Sequence, residues 1–210
     1  GNVSWNKSIS YLHNSKDINV NSNQYKRLAY DEILSSLLVL SQIRQRLKKI
    51  KKKKKTFCNQ TYDKILKNFD FSLTNDQVKV INEINIDLKS DFKMFRILQG
   101  DVGCGKTIVS FVVAGNIIDA GYQVALMAPT EILAKQHYVL AKKIFTSTNI
   151  NISFLTGKTK YKEKKIIQKK LLHGKINFII GTHALFQKDI KFKNLGLAII
   201  DEQHKFGVKQ

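Results

Sequence analysis

The chain has 210 residues, 43% of them hydrophobic, enough for one sizeable core with an appendage and too apolar for a disordered segment. No apolar run approaches the roughly 18–20 residues of a membrane span, no signal peptide is visible, and Cys58 and Cys104 lack the spacing of a disulfide framework or zinc site. The net charge of +20 points to a polyanionic partner, nucleic acid first. A cytoplasmic location is expected, and Gly1 and Gln210 read as cut ends of a longer protein.

Residues 1–24 are polar, with Trp5, Ile9, Tyr11 and Leu12 as scattered anchors, and read as a mostly irregular lead-in. From about Tyr25, Leu28, Ile33, Leu34, Leu37, Leu38, Leu40 and Leu47 recur at helical spacing. Asp31 and Glu32 come early and lysines late, which suits a helix dipole. This predicts a connector helix of about 25 residues, too long and thin to be a minimal domain. The lysines from Lys48 to Lys55 repel one another and are expected to end that helix in a solvated loop. Residues 1–56 therefore form lead-in and connector, and residues 57–210 a separate domain.

Thr74-Asn-Asp-Gln77 opens the next helix. Gln77 fits a capping box with Thr74 and equally fits an adenine-reading glutamine, with Phe71 nearby to stack on the base. Strands and helices then alternate: strands at Phe95–Gln99, Gln123–Ala128, Ile152–Leu155, Asn177–Ile180 and Leu197–Ile200, and helices from Gly105, from Glu131 and through the lysine-rich stretch after Leu155. That order predicts an α/β domain, a parallel sheet with helices on both faces.

Gly100-Asp101-Val102-Gly103-Cys104-Gly105-Lys106-Thr107 is a complete GxxxxGK[ST] phosphate loop between a predicted strand and a predicted helix. Its glycines let backbone N–H groups gather at a helix N-terminus, where the dipole favours phosphate. Lys106 is expected on the β and γ phosphates and Thr107 on Mg²⁺. Cys104 is either a small residue or, at a helix N-terminus, an oxidisable thiol. About a hundred residues later Asp201-Glu202-Gln203-His204 closes an apolar strand. Asp201 is placed to hold Mg²⁺, and Glu202 to orient or deprotonate the attacking water.

Pro129-Thr130-Glu131 joins a strand to a helix. Thr130 either caps that helix or offers a hydroxyl and backbone amides to a nucleic-acid phosphate, a contact blind to sequence. Thr182 and His183, after Gly181, form either a plain turn or a second such contact, and Gly157, just after Leu155, is a third candidate. The lysines at 158, 160, 162, 164, 165, 169 and 170 read as a solvated face before they read as a binding surface. Lysine far outnumbers arginine, and Asn and Ile are abundant, as an AT-rich genome would produce whatever the function. His183 and His204 have neither a Ser or Cys partner nor metal spacing, so nucleophilic catalysis is set aside.

Leu98–Thr107, Val124–Ala134, Gly181–Leu185 and Ile200–Val208, with Arg27-Leu-Ala-Tyr-Asp-Glu-Ile33 upstream, closely resemble the RecG family of ATP-dependent DNA helicases. The resemblance implies a RecA-like motor domain of superfamily two, with ATP and Mg²⁺ as cofactors. It implies a protein that remodels stalled forks and Holliday junctions in recombination and repair, acting as a monomer. By it, Gln77 reads adenine, Gln203 and His204 relay nucleotide state to the DNA side, and Thr130 and Thr182 touch the DNA backbone. It also implies a wedge domain before residue 1 and a second motor domain after residue 210, so that this stretch alone binds ATP weakly and hydrolyses it poorly. The transcription-repair coupling factor shares similar motifs, but Asp-Glu-Gln-His and Arg27–Glu32 argue against it. A non-catalytic nucleic-acid-binding module is opposed by the intact Lys106, Thr107, Asp201 and Glu202.

Overall fold

The computed structural model of the protein describes residues 3–14, 19–48, 50–52, 54–56, 60–68, 72–101 and 103–202. They fall into two compact units, one of residues 1–52 with 91–95 and the other of residues 53–90 with 96–210.

In the first unit the heptad-like leucines produce one helix, α2 (Asn23–Lys48), of 26 residues. The lead-in is not irregular. Trp5–Asn14 is a helix, α1, that packs against α2. Trp5, Ile9 and Leu12 are spaced to share one helical face, a signal diluted by the Ser, Asn and Lys residues between them. Past α2, Lys51 pairs antiparallel with Phe92, with Lys52 N donating to Asp91 O at 2.7 Å and Lys93 N to Ile50 O at 3.1 Å.

The second unit opens with α3 (Gln60–Lys67), a helix that the sequence pattern does not predict. Ile65 is fully buried, and Thr61 N and Oγ1 both donate to the carboxylate of Asp119, fastening α3 to the end of α5 (Lys106–Asp119). α4 (Asn75–Lys89) starts at a complete capping box and turns Ile81, Ile84 and Leu88 inward. Then come β1 (Gln123–Met127), α6 (Glu131–Ile144), β2 (Ile152–Leu155), α7 (Tyr161–Leu172), β3 (Phe178–Gly181), a 3-10 turn (His183–Phe186) and β4 (Leu195–Ile200).

The four strands form one parallel sheet in the order β2-β3-β1-β4, with Val124 opposite Phe178 and Leu197, and Leu126 opposite Ile180 and Ile199. Successive strand residues face opposite sides, which divides the core in two. Phe178 meets Phe111 of α5 and Phe145 at the end of α6 edge to face, both with centroids 5.8 Å away. On the other side Ile179 and Leu155 pack with Leu171 of α7 and Leu185 of the 3-10 turn. The parallel sheet with a helical layer on each face is the expected fold class.

The predicted strand at Phe95–Gln99 is absent, and residues 93–100 have no regular structure. Phe95 and Ile97 are more than half exposed, and Arg96 is held from the side by Asp87 and Glu83 of α4 at 2.8 and 2.9 Å. An apolar alternation makes a strand only where another strand completes its ladder, and among the described residues none pairs with this segment.

Candidate nucleotide site

All four strands run the same way, so the segments that follow them emerge along one edge of the sheet, where open α/β folds place their ligands. Thr130 follows β1, Gly157 follows β2, Thr182 and His183 follow β3, and Asp201 follows β4. Bonds across these ends hold the rim in register. Asp201 N donates to Met127 O at 2.8 Å, Ala128 N to Gly181 O at 2.9 Å, and Lys158 Nζ lies 2.9 Å from Glu131 Oε2. At Gly181 a Cβ would overlap the carbonyl of Leu155, so only glycine allows β2 and β3 to end this close together.

The phosphate loop leads into α5 as expected. Gly105, the N-cap of α5, has φ 85° and ψ 22°, and Gly103 also has φ 85°. These left-handed conformations suit glycine. Lys106 Nζ donates to the carbonyls of Gly100 at 2.7 Å and Asp101 at 2.8 Å, so the ammonium lies over the loop. Gln77 makes three bonds. Its backbone N donates to Thr74 Oγ1 at 3.2 Å, its Oε1 accepts from Thr74 N at 3.0 Å, and its Nε2 donates to Cys104 O at 3.0 Å. The capping box is therefore real, and the same side chain also reaches the phosphate loop.

Asp201 is the acidic member of the site. His137 Nε2 lies 2.7 Å from its Oδ2. The hydrogen bond from His137 holds the Asp201 carboxyl below the usual carboxylate range against the opposing effect of burial. Electrostatic attraction to the His137 ring, the backbone amide of Glu202 and the charge of Lys106 add to it. An ionised carboxylate only accepts, so Nε2 carries the proton. The sequence alone does not single out His137. Its only signal was its place two turns after Thr130 on the same helix. Glu202 is exposed with φ 51°, a left-handed bend that turns the chain at the strand end.

Thr130 is exposed and caps α6, its Oγ1 accepting from Leu133 N at 3.3 Å, and Pro129 is half-buried beside it. Gly157 and His183 are exposed, whereas Thr182 is buried. Thr107 and Lys106 are half-buried at the start of α5. Phe71, Val102, Gln203 and His204 lie outside the described residues. Of the lysine cluster, Lys158 pairs with Glu131, Lys164 with Asp189 at 3.0 Å, and Lys165 lies over the Tyr161 ring at 4.7 Å, so part of its charge is spent locally.

The donor set fits a nucleoside triphosphate with a divalent cation. Backbone amides and an ammonium at a helix N-terminus suit phosphates. One carboxylate and one hydroxyl are the usual protein share of a Mg²⁺ site completed by phosphate oxygens. A left-handed glycine loop, an acidic strand end and a parallel sheet together define a RecA-like α/β domain that carries a phosphate-loop motif. A model of the DEAD/DEAH box helicase family matches residues 74–210, and the chain belongs to that family. It is 43% identical over 208 residues to "ATP-dependent DNA helicase RecG" of Aquifex aeolicus, covering 96% of this chain and 26% of that protein. Against the Thermotoga maritima protein of the same name the identity is 44% over 185 residues, 88% of this chain and 24% of the relative. In structure it matches "Structure of RecG bound to three-way DNA junction" with a TM-score of 0.78 and 42% identity, over 88% of this chain and 25% of that one. The fold alone is shared with a hypothetical ATP-dependent RNA helicase from Sulfolobus tokodaii, at a TM-score of 0.52 and 18% identity over 70% of this chain and 42% of that one. The chain spans about a quarter of the length of the RecG relatives it matches.

Proposed function

We propose that this chain is the first motor domain, residues 57–210, and the preceding connector of a RecG-type helicase that uses ATP to remodel branched DNA in recombination and repair. The observation that supports the reading is that Lys106 of the phosphate loop acts electrostatically on the Asp201 carboxyl at the end of β4, in a chain similar to RecG along most of its length. Lys106 exchanges its loop carbonyls for the β and γ phosphates, and Gln77 reads adenine while bracing the loop. Thr107 and Asp201 hold Mg²⁺, which supplies charge neutralisation on the phosphates. Glu202 orients the water that attacks the γ phosphate, and Gln203 and His204 pass nucleotide state to the DNA side. Thr130 and His183 offer donors to the DNA backbone with Pro129 and Gly157 shaping the rim, and Thr182, being buried, sets the course of the chain there.

Action as a monomer in the cytoplasm completes the reading. Among the described residues no helix is long and apolar enough to cross a membrane. The test is ATP hydrolysis by the full-length protein with three-way junction DNA and with linear duplex. Junction DNA is expected to stimulate hydrolysis more strongly, and Lys106→Ala to abolish it. Equal stimulation by both DNAs would remove the branched-DNA part of the reading, and hydrolysis by Lys106→Ala would remove the site.

A further inference from the structure

We infer that His137 is the positioning residue for Asp201, fixing the plane of the carboxylate that takes the divalent cation. The inference rests on the reading of Asp201 as the metal carboxylate and adds a residue that this reading did not contain.

The geometry supports it on three counts. First, the Nε2 to Oδ2 distance of 2.7 Å is that of a charge-assisted hydrogen bond, shorter and stronger than one between neutral groups. Second, the backbone of Asp201 is already fixed, because its N–H donates to Met127 O at the end of β1. What remains is rotation of the side chain, which the bond from His137 to Oδ2 restrains together with the backbone amide of Glu202. Third, the imidazole is itself held. Its side chain is only 12% exposed and it stands edge-on to Phe111, with centroids 6.4 Å apart and an interplanar angle of 76°. Phe111 is fully buried in α5, the helix that begins at Lys106 of the phosphate loop. The chain of contacts from Phe111 through His137 to Asp201 therefore references the carboxylate to the helix that carries the phosphate-binding residues.

Removing such an outer partner of a metal-binding group typically weakens metal affinity about 10- to 100-fold. The test measures binding of a fluorescent ADP analogue to this chain in Mg²⁺ and in EDTA, the ratio of the two affinities being the divalent-dependent enhancement. His137→Phe keeps a ring against Phe111 but has no donor, and is expected to lose about tenfold of the enhancement with the EDTA affinity unchanged. His137→Gln, whose amide nitrogen reaches a similar position, is expected to restore most of it, a rescue that simple loss of packing would not show. Asp201→Asn separates the two claims. If it abolishes the enhancement and His137→Phe does not reduce it, His137 has no positioning role while the metal reading stands. If Asp201→Asn keeps the enhancement, the metal reading falls and the inference with it. Should His137→Phe fail to fold, the unmodified chain decides. The imidazole ¹⁵N signals of His137 are expected to move when Mg²⁺ is added to the ADP-bound chain, and signals that stay in place overturn the inference.

Discussion

Gln77 ties two functional segments together, its Nε2 donating to the carbonyl of Cys104 in the phosphate loop while its Oε1 caps α4 by accepting from Thr74 N. Cap and loop brace can be separated by Gln77→Glu. A carboxylate still accepts from Thr74 N, and near a helix N-terminus its charge is favourable. It cannot donate to Cys104 O. The melting temperature of Gln77→Glu is expected within about 2 °C of the parent. Nucleotide affinity is expected to fall about 3- to 10-fold, the worth of one neutral hydrogen bond. Binding of ATP and GTP analogues distinguishes the two uses of the side chain, because bracing the loop affects both equally and reading adenine affects ATP alone.

Gly105→Ala meets two penalties. A residue with a Cβ at φ 85° is strained by about 1–2 kcal/mol, and the added methyl would overlap Gln77 Nε2. Gly103→Ala carries the same φ, but nothing lies near its Cβ. Urea unfolding is therefore expected to show Gly105→Ala as the more destabilised of the two. Equal losses would mean that strain alone matters and that Gln77 moves aside freely.

The fold was most legible where local pattern and tertiary demand coincide. Ile152–Leu155 and the start of α6 at Glu131 fall where alternation and the Thr130 cap place them. The Phe95–Gln99 segment has the composition of a strand and no ladder, because strand formation depends on a neighbour that its own residues cannot specify. α3 was hidden for a related reason. Its burial comes from α5, with Thr61 bonded to a carboxylate 58 positions away. In the site, the phosphate loop was legible because its chemistry is contiguous in sequence. The His137–Asp201 contact spans 64 positions and leaves no local trace.

The three rings of the sheet's inner face predict where the unit is most fragile. Phe178 is fully buried and meets both Phe111 and Phe145. Truncating such a ring costs about 3–5 kcal/mol, which lowers the melting temperature of a chain this size by roughly 6–20 °C. Phe178→Ala is expected in that range by calorimetry. Val139→Ala, at a 60% exposed position on α6, is expected to stay near the parent value.

Lys106→Ala separates stability from function. The ammonium holds the carbonyls of Gly100 and Asp101, both exposed residues, so water can take over as donor when it is removed. The net contribution of such bonds is small because protein and water compete on similar terms, and the ligand-free melting temperature is expected to change by no more than about 3 °C. Ligand-induced stabilisation behaves differently. A nucleotide at a hundred times its dissociation constant stabilises the parent by about 2.7 kcal/mol, and in Lys106→Ala that increment is expected to vanish. Binding to three-way junction DNA in the absence of nucleotide is expected to survive in the full-length protein, because the role proposed for Lys106 is on the phosphates of the nucleotide. Loss of DNA binding together with nucleotide binding would mean that the lysine serves a general basic surface, and the motor reading of the site would have to be given up.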